Sequence, residues 1–169
     1  IKEKIIFTAG RLESYQKNTK LLVDSYLKSG LWLDGWQLVL AGSYDQNVEK
    51  YIKEQLNIVA NNHNNCISLT GHLSREQLFS YMRRAKVFAL SSRWEGFALV
   101  LPEAVAHGCI IAATDVGGVE DVTNNGSLGF IAKEQTIKSF TEVLKLAAAS
   151  SQKLKKKQRE FGLSNFDWK

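Results

Sequence analysis

The chain has 169 residues and a formal net charge of +5; 44% of its residues are hydrophobic and 23% are charged. This composition is ordinary for a globular domain with a sizeable core, and no apolar run approaches the roughly 20 residues that a membrane-spanning helix needs. The first residues, 1–7, predict a strand preceded by charges rather than a secretory signal peptide. Two cysteines, Cys66 and Cys109, make no disulfide framework and are interpreted as small core residues, which favours a cytoplasmic setting.

Strand-like and helix-like segments alternate from one end of the chain to the other. Short apolar runs end at glycines, and the longer segments between them carry apolar residues at helical spacing. We predict strands over residues 5–9, 36–41, 66–70, 87–90, 109–113 and 129–131. We predict helices over residues 20–31, 47–60, 102–107 and 137–154, and one more that opens with a capping box at 74–77 and ends at 85.

This alternation predicts an α/β fold. Specifically, it predicts a Rossmann-like three-layer sandwich, in which helices cover both faces of a mostly parallel six-stranded sheet. The absence of internal repeats and linkers predicts one domain. Ligands of such sheets bind beyond the carboxyl ends of the strands. Four of the predicted ends are followed by informative residues, at Gly10-Arg11, Gly42-Ser43, Gly71-His72 and 92–96.

The segment 92–103 is the most informative part of the chain. It carries Glu95 and Glu103, eight positions apart, at either end of an otherwise apolar run. The run leads from a predicted strand into a predicted helix, and the free N–H groups at the start of a helix suit an anion. A carboxylate on either side of that point can hold the hydroxyls of a sugar. Gly96 and Pro102 interrupt the run, so we do not expect both carboxylates on one helix face.

Five segments of the chain, in order, resemble one enzyme family. They are Gly10-Arg11-Leu12 with Lys17, residues 36–42, residues 69–73, residues 91–103 and residues 106–120. The acid pair resembles the Glu-x7-Glu signature of retaining glycosyltransferases that use nucleotide-sugar donors. Over nearly its whole length, the chain resembles the C-terminal, donor-binding half of a GT-B enzyme of the family 4 type, in glycosyl transferases group 1.

The resemblance implies a UDP- or GDP-hexose donor and assigns catalytic roles to charged residues. Arg11 and Lys17 would neutralise the leaving pyrophosphate. Glu95 would hold or polarise the donor sugar, and Glu103 would accept hydrogen bonds from the ribose. The residues alone leave other interpretations open. The two cations can be exposed loop residues, Glu95 can pair with Arg93, and Glu103 can simply favour the helix dipole.

Neutral groups complete the expected donor site. The resemblance implies backbone N–H donors at Gly96, Phe97, Ala98 and Leu99, and a border for the base at Gly71, His72 and Leu73, with Gly10 at the first strand end. Phe97 is interpreted as a core anchor rather than as a stacking platform. Asn18 stands where the family usually has Gly, and because Asn tolerates a left-handed backbone, the loop should keep its shape. Gly117-Gly118 suits a tight turn near the donor.

We expect no metal and no cofactor. His63 and His107 have no partners at metal-ligand spacing, and no Asp-x-Asp stands out as a metal clamp. Aromatic residues interleaved with base-reading side chains are not apparent either, so we do not expect a nucleic-acid partner. The sequence therefore predicts metal-independent chemistry.

Lysines concentrate near the C-terminus, at Lys153, Lys155, Lys156 and Lys157. A solvated helix face is the favoured interpretation, and a peripheral contact with the cytoplasmic membrane is the alternative. The chain starts without Met and stops abruptly, so we expect a fragment of a longer protein that lacks an N-terminal acceptor domain.

The sequence thus predicts the donor-binding domain of a retaining hexosyltransferase of polysaccharide or lipid-linked glycan synthesis, inactive without its acceptor domain. The alternative is a non-catalytic nucleotide-binding or regulatory module that keeps the fold. Other α/β nucleotide binders, such as GT-B epimerases, lack this spacing of the two glutamates. A nicotinamide-binding domain is disfavoured, because no Gly-x-Gly-x-x-Gly follows the first strand.

Overall fold

The structure is a computed structural model that describes residues 2–59 and 65–166. Strands and helices alternate in it as the sequence predicts. The strands are β1 (Glu3–Ala9), β2 (Gln37–Ala41), β3 (Ile67–Gly71), β4 (Ala85–Leu90), β5 (Ile110–Thr114) and β6 (Phe130–Ala132). The helices are α1 (Thr19–Ser29), α2 (Gln46–Val59), α3 (Arg75–Arg84), α4 (Val100–Ala106), α5 (Val119–Thr123), α6 (Ile137–Ala149) and α7 (Gln152–Asn165), with a 3-10 turn at Leu31–Asp34.

The six strands form one sheet in the order β3-β2-β1-β4-β5-β6, and each pairing between them is parallel. The prediction of a mostly parallel six-stranded sheet is confirmed. Strand order reverses between β1 and β4, because the chain leaves β1 toward one edge of the sheet and leaves β4 toward the other. The loops after these two strands therefore separate above the sheet, which is where open α/β sheets bind ligands.

Successive residues of each strand enter two different cores. Ile6 and Leu38 pack with residues of α1, α2 and α6 on one face of the sheet. Phe7 and Val39 pack with residues of α3, α4 and α5 on the other face. Because side chains alternate along a strand, apolar residues at consecutive positions bury both faces. The result is the predicted three-layer sandwich.

The predicted helix over residues 137–154 is wrong, because the structure divides it into α6 and α7. Ser150 has an extended backbone with ψ of 145°, which ends α6. The hydroxyl of Ser151 then accepts the N–H of Leu154 at 3.2 Å and caps α7. Serine side chains compete for backbone groups in this way and favour helix ends. Ala60, the predicted end of α2, lies outside the described residues.

The C-terminal lysines lie on α7 but do not form a uniform solvated face. Lys153, Lys156 and Lys157 are exposed, whereas Lys155 is buried. Burial lowers the pKa of Lys155, and the nearby charges of Lys86 and Lys2 lower it further. Among the described helices, none is long and apolar enough to cross a bilayer.

Both cysteines are buried one residue before a strand, as expected of core residues. Cys109 donates its S–H to the carbonyl of Met82 at 3.1 Å. Burial raises the pKa of the Cys109 thiol to about 11, so the reactive thiolate is disfavoured at neutral pH.

Gly42 makes a close backbone approach at the strand ends. It has φ of +119°, and a Cβ at this position would overlap the carbonyl of Gly10. We expect Gly42→Ala to lower the free energy of unfolding by about 3 kcal/mol, from backbone strain plus steric overlap. Gly35→Ala is the matched control, because Gly35 has φ of +79° and nothing within 4 Å. It should cost about 1 kcal/mol. Urea titration measures both, and equal losses would show that the approach to Gly10 is unimportant.

Candidate functional site

The carboxyl ends of β1, β2 and β3 are joined by backbone hydrogen bonds and open into a cleft. The N–H of Gly10 donates to the Ala41 carbonyl at 3.0 Å, and the N–H of Gly42 donates to the Gly71 carbonyl at 2.8 Å. Beyond them lies a cavity of about 240 Å³. Its lining includes four of the predicted site residues, Gly10, Arg11, His72 and Leu73.

Arg11 and His72 are exposed at this cleft, and Leu73 is half-buried against the core. Among the residues that the structure describes, no carboxylate lies within ion-pair distance of Arg11. The Arg11 guanidinium is therefore available to an anion that enters the cleft.

Lys17 and Glu95 form an ion pair at the point where strand order reverses. Lys17 follows β1, Glu95 follows β4, and the Nζ–Oε1 distance is 2.6 Å. The two side chains are 22% and 10% exposed, so water screens this pair only in part. Glu95 therefore does not pair with Arg93, which was the alternative interpretation. The Arg93 guanidinium instead lies over the ring of Tyr15, 3.8 Å from its centroid.

Two neutral groups also donate to the Glu95 carboxylate, and sequence reasoning missed both. The buried hydroxyl of Ser92 donates to Oε1 at 2.6 Å. The amide of Gln16 donates to Oε2 at 3.3 Å and to the carbonyl of Trp94 at 3.0 Å. Ser92 is itself held by Thr114, whose hydroxyl donates to the Ser92 carbonyl at 2.6 Å. Ser92 stands three residues before Glu95, which is a local signal, whereas nothing near Gln16 in sequence marks its contact.

Asn18 has a left-handed conformation, with φ of 50° and ψ of 46°, as expected where Asn stands in place of Gly. It lies directly before α1. The hydroxyl of Ser91 donates to the carbonyls of Lys17 and Asn18, at 2.9 and 3.2 Å. The end of β4 thus stabilises the backbone turn that presents Lys17.

The loop after β5 packs on the segment that follows Glu95. A Cβ at Gly117 would overlap the carbonyls of Glu95 and Gly96, and a Cβ at Gly118 would lie 2.9 Å from the ring of Phe97. Gly118 has φ of +83°, which fits the predicted tight turn. The interpretation of Phe97 as a core anchor is wrong. Its side chain is 43% exposed and covers the glycine turn.

The residues around Phe97 differ in exposure. Ala98 is buried, whereas Leu99 is 75% exposed. Glu103 lies in the first turn of α4, as predicted, and its side chain is 29% exposed. One Arg75 nitrogen is 4.0 Å from Glu103 Oε1. Glu95 lies in the preceding loop, so the two carboxylates are not on one helix face.

Within residues 2–59 and 65–166, no group of three or more His, Cys, Asp or Glu side chains is arranged to hold a metal ion. The His107 ring makes structural contacts through both stacking and hydrogen bonding. Its ring stacks on Phe79 with centroids 4.5 Å apart, and its Nδ1 lies 2.8 Å from the Glu103 carbonyl. His63 lies outside the described residues.

The parallel sheet, its strand order and the glycine-lined cleft define a Rossmann-like α/β protein of the kind found in half of a GT-B enzyme. The chain belongs to the family described as glycosyl transferases group 1, whose sequence model matches residues 1–163. The sequence resemblance to that family is thereby confirmed.

Individual relatives agree with this assignment. An uncharacterised glycosyltransferase of Methanocaldococcus jannaschii is 30% identical over 122 residues, which cover 70% of this chain and 34% of the relative. The lipopolysaccharide core biosynthesis mannosyltransferase LpsB of Rhizobium meliloti is 27% identical over 174 residues, covering 95% of this chain and 48% of LpsB. The chain thus spans less than half the length of either relative.

A solved structure shares the fold. Anabaena HepE, solved in complex with UDP and glucose, superposes with a TM-score of 0.82 and 19% identity. The match covers 98% of this chain and 45% of HepE.

Removing one partner of the Lys17–Glu95 pair should leave a largely buried charge without its counter-ion. We expect Lys17→Met to lower the free energy of unfolding by about 1–2 kcal/mol, and Glu95→Gln in that background to recover part of the loss. Thermal unfolding of the two single variants and the double variant gives the coupling energy.

The matched control is Lys53→Met, which breaks the 2.7 Å Lys53–Glu49 pair on the exposed face of α2. It should cost less than about 0.5 kcal/mol. Additive losses at Lys17 and Glu95 would contradict a stabilising pair.

Proposed function

We propose that this chain is the donor-binding part of a retaining hexosyltransferase that takes its sugar from UDP- or GDP-hexose. The observation that carries the proposal is the meeting of Lys17 and Glu95 at the reversal of strand order, beside a cleft with an available guanidinium at Arg11. Membership of a glycosyltransferase family supports the reaction class. The UDP and glucose bound to HepE support the class of donor.

Arg11 and Lys17 carry the diphosphate in this proposal. When the bond between sugar and phosphate breaks, negative charge builds on the leaving pyrophosphate, and cations already in place stabilise that charge. The forked guanidinium of Arg11 suits two phosphate oxygens, and the ammonium of Lys17 acts as a point charge. Two such cations can do this without a metal, so we propose metal-independent chemistry.

Glu95 and Glu103 serve different parts of the donor. Glu95, in the loop after β4, accepts hydrogen bonds from the sugar or polarises it. Glu103, in the first turn of α4, accepts the ribose hydroxyls, and a carboxylate offers about four acceptor positions for this purpose. The base lies along Gly71, His72 and Leu73, of which His72 and Leu73 line the cleft. Backbone N–H groups of residues 96–99 complete the contacts to the sugar and the pyrophosphate.

The whole protein needs a second, N-terminal domain that binds the acceptor. The relatives support this part of the proposal, because the chain spans less than half of their length. The name of LpsB supports a polysaccharide or lipid-linked glycan as the product. We place the enzyme in the cytoplasm, with the exposed lysines of α7 as a peripheral contact to the anionic membrane surface.

The chain alone should bind a nucleoside diphosphate weakly and transfer no sugar, since the donor residues are present and the acceptor domain is not. Calorimetry against UDP, GDP and ADP tests binding, with uridine and guanosine as controls that lack the phosphates. Arg11→Ala should reduce diphosphate affinity by about 1.5–3 kcal/mol if water is excluded and less if the site is open, and leave nucleoside affinity unchanged. Failure to bind any of the three diphosphates at millimolar concentration would overturn the proposal. Transfer by this chain alone would overturn the need for a second domain.

Substitutions of the two glutamates should affect different quantities, nucleotide affinity for Glu103 and turnover for Glu95. Glu103→Gln should weaken nucleotide binding, because an amide cannot accept two ribose hydroxyls as a carboxylate does. Glu95→Gln should mainly lower turnover of the full-length enzyme, because its contacts matter most as the glycosidic bond breaks. The measurements are the nucleotide Kd of each variant, and kcat and KM in the full-length protein. The opposite pattern would reverse the assignment of the two carboxylates.

A further inference from the structure

We propose that Gln16 is a positioning residue that holds the Glu95 carboxylate in place relative to Lys17, so that Glu95 keeps its orientation when a diphosphate draws Lys17 away. This inference rests on the proposed function. The inference adds to the proposed site a residue that is not part of the family signature and that no nearby sequence feature indicates.

Gln16 joins the loop after β1 to the loop after β4 through three hydrogen bonds. Its side-chain amide donates to Glu95 Oε2 at 3.3 Å and to the Trp94 carbonyl at 3.0 Å. Its own carbonyl accepts the N–H of Arg93 at 2.7 Å. Because Lys17 is the next residue along the chain, the same link fixes the distance between the proposed phosphate-binding cation and the proposed sugar-binding carboxylate.

The acceptor positions of Glu95 show why a neutral donor matters. A carboxylate has about four lone-pair positions. Oε1 accepts from Lys17 Nζ and from Ser92 Oγ, each at 2.6 Å, and Oε2 accepts from Gln16. One position on Oε2 therefore remains for a hydroxyl of the donor sugar, and Gln16 decides the direction in which that position points.

Lys17 cannot hold Glu95 as firmly when a diphosphate is bound as it does when the site is empty. A diphosphate carries more negative charge than a carboxylate, so it competes strongly for the ammonium at the end of a flexible stem. The Gln16 amide is uncharged and is tied to the Trp94 carbonyl as well, so the phosphate competes for it far less. Ser92 cannot replace it, because Ser92 donates to Oε1 and belongs to the same loop as Glu95.

The test uses the full-length protein, with UDP-glucose or GDP-mannose as the donor and release of UDP or GDP as the readout. Gln16→Met keeps the length of the side chain and removes both donor hydrogen bonds. We expect kcat to fall about tenfold while donor KM and the Kd for UDP or GDP change less than about twofold. In a Glu95→Gln background, the same substitution should change kcat less than about twofold, because the carboxylate that Gln16 positions is gone.

Gln135→Met is the matched control. The Gln135 amide donates to the Arg93 carbonyl at 2.8 Å, so it ties the same loop to the chain after β6, and no hydrogen bond joins it to Glu95. Its kcat should stay within about twofold of the wild type, since the loss of one exposed loop contact does not reach the carboxylate. If Gln16→Met does not fold, Gln16→Glu is the second variant, because it keeps the loop polar. Its kcat should fall below that of the wild type by more than about tenfold, because it sets a like charge against Glu95.

Three results would overturn the inference while the proposed function stands. They are an unchanged kcat in Gln16→Met, a loss that appears only as weaker UDP or GDP binding, and an equal loss of kcat in the Glu95→Gln background. A wild-type protein that neither binds UDP or GDP nor turns over either donor would overturn the proposed function itself, and the inference with it.

Discussion

The reversal of strand order between β1 and β4 is the constraint on which the rest of this site depends. These strands are neighbours in the sheet, but their chains continue toward opposite edges. The two loops therefore diverge above the sheet and expose backbone and side-chain polar groups between them. Lys17 comes from the loop after β1 and Glu95 from the loop after β4, and their contact at 2.6 Å joins the two loops.

The Lys17–Glu95 pair loses hydration energy on burial and gains Coulomb attraction between its two charges. The side chains are 22% and 10% exposed, so the desolvation penalty and the attraction are both moderate. The pair therefore stabilises the site only while each charge keeps its partner. Such a pair can give way to a ligand that brings its own charge. The neutral donors around Glu95 matter for this reason. Ser92 and Gln16 satisfy part of the carboxylate whatever the ammonium does.

The features that sequence predicts best here are local. The capping box of α3 appears as expected, with Ser74 Oγ 3.2 Å from the Gln77 N–H and Gln77 Oε1 2.9 Å from the Ser74 N–H. The left-handed turn at Asn18 follows from the conformational freedom of that residue type. The parallel pairing of the strands follows from their alternation with helices along the chain.

The features that sequence misses depend on distant residues or on closely balanced local preferences. Gln16 and Glu95 are 79 residues apart in the chain, and the period of the apolar residues carries no information about that contact. Phe97 lies in an apolar run and so resembles a core residue, yet it covers a glycine turn at the surface. At Ser150-Ser151, helical spacing continues across a break that the serine side chains produce through their own hydrogen bonds.

Gly117 and Gly118 let the loop after β5 pack closely against the loop that carries Glu95, because they have no side chains. The loop after β5 approaches so closely that a side chain at Gly117 would overlap the backbone carbonyls of Glu95 and Gly96. Thr114, at the end of the same strand, donates to the carbonyl of Ser92, so β5 holds the Glu95 loop at two points. Because a closely packed backbone cannot shift without moving both neighbours, the position of Glu95 is determined by three parallel strands together. A carboxylate held this way loses little conformational entropy when it binds a ligand, which is the advantage of building a site on the rigid end of a sheet rather than on a free loop.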